Sequence, residues 1–308
     1  MTKKYISIIY EGEKTERQLV DNLNKVFFKD ISELVPIMFP AGENIYMLWK
    51  QLKDDEFETD LIEVIREYNS DAEKALHGFH RNDFMEIYLF FDYDGHQNNL
   101  RCIGNDSLDV LSEMLETFSE ETELGKLYIN YPMVESLRDN KIPEEETCYR
   151  RCTVNLNEIK NYKRTVSDMY IYQDFRKLDR SHWNELCINA VCKANCIIHN
   201  TYRIPSRKAF IESMGQNRLY QKQKEKYISA GKIAVINSFP LFLLEYFKKD
   251  FGMKYSFKQN LCILIAKFYT ELKLYKRCAR SQQAPGASLF SILLSHTWLL
   301  LPPNTAAP

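Results

Sequence analysis

Between residues 5 and 140, short apolar runs alternate with segments whose apolar residues recur at helical spacing. The runs YISIIY (5–10), LVPIMFP (34–40), IYLFFD (87–92) and KLYINYP (126–132) read as strands. Pro36 cannot donate to a ladder, which marks the second run as an edge or irregular strand. From Glu16 to Phe28, the residues Leu19, Val20, Leu23, Val26 and Phe27 share a helical face. A long polar helical region is predicted over 44–78. Asp106 is placed to cap the next helix, whose apolar face uses Leu108, Leu111, Met114, Leu115 and Phe118. Met133–Leu137 is read as the opening of another helix. Strands separated by helices predict an α/β fold with a mostly parallel sheet covered on both faces.

The texture changes near residue 144. PEEETCYRRC (143–152) reads as a charged surface connection, and the chain beyond it as mainly helical, with Trp183–Ile198, Arg207–Tyr227 and Leu241–Phe247 as the better helices. This predicts an α/β domain over 1–143 and a helical lobe over 144–276. Residues 277–308 contain no Lys, Asp or Glu and four of the ten prolines, unlike the Lys-, Asn- and Tyr-rich body. They read either as a non-native or disordered tail or as a real terminal segment, and are set apart from functional reasoning. Their apolar part, Leu289–Leu301, is too short to span a bilayer.

Composition narrows the function classes. With 45% hydrophobic and 27% charged residues the chain has an ordinary globular balance, and a net charge of -1 rules out a global basic field. The apolar run after Met1 is too short for a signal peptide, and no run is long enough for a membrane helix. The eight cysteines are scattered. The expectation is a cytoplasmic protein with reduced thiols and no membrane partner.

Three predicted strand ends carry acids. The first ends in Glu11-Gly12-Glu13-Lys14-Thr15-Glu16, the third in Asp92-Tyr93-Asp94-Gly95, and the fourth is followed closely by Glu135. In a parallel sheet these groups converge on one rim, where ligands gather. Converging carboxylates repel one another unless a cation compensates, and oxygen ligands without His or Cys favour Mg²⁺ or Mn²⁺. Gly12 and Gly95 suit tight turns and close approach of a phosphate, and Thr15 sits near free N–H groups at a helix start.

The order strand-EGEKTE, then strand-DYDG, resembles the Toprim domain of topoisomerases, primases and several nucleases. With the later YPMVES, it is most similar to the Toprim-like proteins of bacterial phage-defence loci, of the RloB and OLD type. The match covers residues 4–140. The resemblance implies a Mg²⁺-dependent nuclease acting on DNA or RNA as a defence effector. Glu11 is then the general acid/base and a metal ligand, and Asp92 and Asp94 hold the metal. Glu16 matches the extra catalytic acid of the nuclease branch at a spacing one residue longer, and Glu135 is a further metal ligand. His96-Gln97-Asn98-Asn99 follows where the family often has another acid or Gly, which leaves one or two metals open. The chain has no G-x-x-x-x-G-K-[ST] loop. Control by a partner P-loop ATPase is expected by resemblance, and a homo-oligomer is left open.

Other readings stand beside this one. Acids after a strand also cap helices or solvate turns, and Glu135 suits a helix N-terminus. FFDYDG also resembles the haloacid-dehalogenase motif with Asp92 as nucleophile, although there the motif lies on the first strand. A Toprim fold can also serve as a non-catalytic nucleic-acid-binding or assembly module. Lys163 and Arg164 of KNYKRT (160–165), with Lys14, Arg176 and Lys177, are candidate contacts to a nucleic-acid backbone, against the default of a solvated surface. Cys187, Cys192, Cys196 and His199 have no usual zinc spacing and read as thiols packed in a helix core.

Overall fold

The structure, a computed structural model, describes residues 4–39, 45–68, 70–93, 107–140, 152–167, 172–206, 209–210 and 213–247. Strands β1 (Tyr5–Tyr10), β2 (Glu33–Met38), β3 (Phe84–Asp92), β4 (Ser119–Glu120) and β5 (Gly125–Asn130) form one sheet. Its order is β2-β1-β3-β5-β4. All neighbours pair in parallel except β4, which runs antiparallel to β5. The fold class is α/β, as the alternation of patterns predicts. β1 and β3 lie inside the sheet and are buried almost continuously, which is why they read as unbroken apolar runs. β2 is an edge strand, where Pro36 costs least.

The helices are α1 (Thr15–Leu23), α2 (Ile45–Asp54), α3 (Leu61–Tyr68), α4 (Ser70–Ala75), α5 (Ser107–Thr117), α6 (Ile159–Ser167), α7 (Arg180–His199), α8 (Gln216–Lys226) and α9 (Phe239–Tyr246). Residues two apart on a strand share a face, so β3 serves two layers. Ile87, Leu89, Phe91 and Tyr93 enter the large core with Leu48, Leu111 and Met114. Tyr88 and Phe90 face the other way, against α9. Phe239 stacks on Phe90 with centroids 4.1 Å apart, and Phe242 meets Tyr88 edge-on at 4.7 Å.

The division expected at 143/144 does not separate two cores. Ala190, Ile197, Leu219 and Leu241 belong to the same core as Ile9, Leu89 and Ile129, and the described residues up to Phe247 form one compact unit. The later region also contains an unexpected antiparallel pair, β6 (Thr153–Asn155) with β7 (Lys232–Ala234). The region 44–78 is several helices rather than one, interrupted where Glu56 and Phe57 adopt positive φ of 50° and 60°. There Asp55 accepts from the Thr59 amide (2.7 Å) and Asp60 from the Ile62 amide (2.8 Å), so side-chain capping competes with the helix. Met133–Leu137 does not open a long helix; the chain makes one 3-10 turn, Val134–Leu137. Asp106, Gly95 and the tail 277–308 lie outside the described residues.

Candidate active site

Strand order reverses between β1 and β3: the chain runs from β1 outward to β2 on one side and from β3 to β5 on the other. The carboxyl ends of β1 and β3 therefore flank the crevice where open α/β sheets bind ligands. A cleft of about 430 Å³ lies there, lined by residues 11–16, Asp92, residues 133–135 and Lys163. Glu11, Glu16, Asp92 and Glu135, read from three separate strand ends, all reach this one cleft. Asp94 lies outside the described residues.

Asp92 ends β3 on the face shared with Tyr88 and Phe90, opposite Asn130 in the register with β5. Asn130 Nδ2 donates to Asp92 Oδ1 at 3.0 Å, and the Val134 amide also donates to this carboxylate. Burial first, then the charges of Glu16 and Glu11, push the Asp92 carboxyl well above its ordinary range.

Glu16 stands in the first turn of α1 and is only 5% exposed. Its carboxylate folds back to accept from its own amide and that of Gly12. A Cβ on Gly12 would lie 2.2 Å from Glu16 Oε2, so the space left by glycine is filled by this carboxylate. That corrects the expectation that Gly12 leaves room for a phosphate. Burial, reinforced by Glu135 and moderated by Lys163, raises Glu16 to about 7.

Glu135, on the 3-10 turn, is 2% exposed. Lys163 Nζ of α6 lies 2.6 Å from its Oε1, and Thr15 Oγ1 donates to the same oxygen at 3.5 Å. Lys163, expected to grip nucleic acid, is thus the counter-charge of a buried acid. Of the other expected nucleic-acid contacts, only Lys14 lines the cleft. Arg164 is exposed on α6, whose inward face buries Ile159, Tyr162 and Val166. Arg176 forks onto Asp174 at 2.8 and 3.0 Å, and Lys177 lies 3.7 Å from the same acid.

The donor set is all oxygen, two of its acids hold protons more tightly than usual, and a hard divalent cation would relieve both conditions. Among the described residues, no three metal-binding side chains are grouped closely enough to cage an ion. The contacts above explain this: Glu16 is turned to the Gly12 amide and Glu135 to Lys163. Glu11 and Asp92 are the acids that could hold such a cation, with Glu135 engaged elsewhere. Cys192 and Cys196 lie in the apolar core, and burial raises the Cys192 thiol to about 12.

Asn130, Asn237 and Ser238 were not singled out by pattern. Asn130 ends an apolar strand, but the two residues that bond to it and to its neighbouring turn come from far along the chain. No protein-family model, curated protein or solved structure matches this chain. No helix among the described residues is long and apolar enough to cross a membrane.

Proposed function

We propose that the chain is a divalent-cation-dependent nuclease of Toprim type. The observation that carries the reading is the meeting of Glu11, Glu16, Asp92 and Glu135 in one cleft at the reversal of strand order. These acids lie about 80 and 40 residues apart in sequence, and helix capping alone gives no reason for them to meet. Glu11, Asp92 and Asp94 would hold Mg²⁺ or Mn²⁺, and Glu135 would join them only on release from Lys163. When bound, the cation neutralises charge at the scissile phosphate and acidifies a coordinated water. Glu11, at the partly exposed rim, takes and returns the proton. Glu16, raised to about 7, suits a second acid–base group working near neutral pH. Lys14 brings positive charge to the cleft for a DNA or RNA backbone, while the charge of Lys163 is matched by Glu135. By resemblance the proposal extends to an effector of bacterial anti-phage defence under the control of a partner ATPase.

The test is incubation with plasmid, single-stranded DNA and transfer RNA in Mg²⁺, Mn²⁺ or EDTA. Cleavage is expected with either metal and lost in EDTA, in Glu11→Gln and in Asp92→Asn. No cleavage of any substrate, or undiminished cleavage by Asp92→Asn, overturns it. A second reading, a non-catalytic nucleic-acid-binding module, draws support from the Lys163–Glu135 ion pair, which neutralises one acid internally. It predicts that both variants keep nucleic-acid binding and every biological effect.

A further inference from the structure

We infer that Asn130, Asn237 and Ser238 are positioning residues for Asp92: they fix which lone pairs of its carboxylate face the cleft. Asn130 is 1% exposed, and its Oδ1 accepts from both the amide (3.1 Å) and the hydroxyl (2.8 Å) of Ser238. A backbone N–H can only donate, so the side-chain amide of Asn130 cannot flip, and its Nδ2 is committed to Asp92 Oδ1 at 3.0 Å.

Asn237 performs the matching task on the next turn. Its Nδ2 donates to Val134 O at 2.9 Å and to Ser136 Oγ at 3.2 Å, while its Oδ1 accepts from the Phe239 amide at 3.0 Å. That holds the turn whose Val134 amide donates to Asp92 and whose next residue is Glu135. Reciprocal bonds between Tyr131 and Ile236, at 2.8 and 2.9 Å, anchor the two segments.

A carboxylate offers about four acceptor directions. Asn130 and Val134 take two, leaving the others for the cleft. Buried polar side chains are costly unless bonded, and an apolar set would fill the same space more cheaply. What the polar set adds is orientation. Residues 237 and 238 therefore belong to the site itself, although the sequence pattern assigns them to a separate helical lobe.

The inference rests on the cation-dependent reading of Asp92, and its test separates the two. Mn²⁺ binding to the full chain is measured by titration calorimetry for wild type, Asp92→Asn, Asn130→Ala and Ser238→Ala, with circular-dichroism melts in EDTA to establish folding. Wild type is expected to bind and Asp92→Asn to lose binding. Asn130→Ala should weaken binding about 10–100-fold, the usual effect of removing a partner that orients a ligand. Ser238→Ala keeps the backbone donor and should weaken it only about 2–10-fold; it decides the matter if Asn130→Ala does not fold. Wild-type affinity in folded Asn130→Ala and Ser238→Ala, with binding lost in Asp92→Asn, overturns the positioning role and leaves the cation reading standing. A wild type that binds no Mn²⁺ removes both.

Discussion

Replacing Glu16 by Gln should stabilise the cation-free protein at pH 8 and change little at pH 5. Glu16 moves from an ordinary 4.5 to about 7 on folding, chiefly through burial. Its folded form therefore binds the proton more tightly than the unfolded chain does. The resulting stability is complete below 4.5 and is lost as pH rises through 7. At about 1.4 kcal/mol per pH unit, the displacement amounts to about 3 kcal/mol of strain at pH 8. Gln resembles the protonated acid in size and charge, so it avoids this strain throughout. It has one carbonyl oxygen for the Gly12 and Glu16 amides, a constant loss of about 1 kcal/mol. Removing the Glu16 charge also lets Asp92 ionise more readily, which acts in the same direction.

The assay is urea unfolding followed by circular dichroism in EDTA at pH 5, 6, 7 and 8. The stability difference between variant and wild type should climb by about 3 kcal/mol across the series. A difference that stays constant from pH 5 to pH 8 refutes the assignment of strain to this carboxylate. Saturating Mg²⁺ at pH 8 should restore wild-type stability by binding only the folded state.

Lys163→Met leaves Glu135 buried without its cation and should destabilise the fold at pH 8 by about 1–2 kcal/mol, a figure reduced because the lysine is 67% exposed; chemical denaturation measures it. Gly12→Ala places a methyl group against the Glu16 carboxylate, the mobile end of a side chain, so the protein should still fold while its pH dependence flattens in the same urea series. Phe90→Ala removes the ring stacked on Phe239 and Tyr128 and should cost about 3–5 kcal/mol in urea unfolding. Cys192 and Cys196 should escape iodoacetamide at pH 8 in the folded protein and react in urea, as read by peptide mass spectrometry; native labelling would contradict their burial.

The legible parts of this molecule are those with a short-range signature. β1, β3 and β5 announce themselves as apolar runs because their neighbours bury both faces, and the acids that follow them are conspicuous for the same reason. β6 and β7 are three residues each, TVN and KIA, too short for any alternation to show. The break between α2 and α3 depends on side-chain oxygens capturing backbone amides, which a count of apolar positions does not register. Lys163 read as a surface cation because its partner, Glu135, is distant in sequence. Asn130 and Ser238 are likewise far apart, and hydrogen-bond complementarity over such a distance leaves no periodic trace.

The same geometry explains why the later half of the chain cannot be separated from the chemistry. Asp92 lies on the face of β3 that carries Tyr88 and Phe90, and α9 covers that face through Phe239 and Phe242. Without α9 those rings and Tyr128 would stand in water. A solvated carboxylate titrates in the ordinary range and gains little from a cation. Covering the face with aromatic side chains leaves Asp92 half-buried, with one side on the cleft and the other held by Asn130 and the Val134 amide. The helix that completes the hydrophobic layer beside Asp92 is thus entered through the corner Asn237-Ser238, which supplies the bonds that orient the acid.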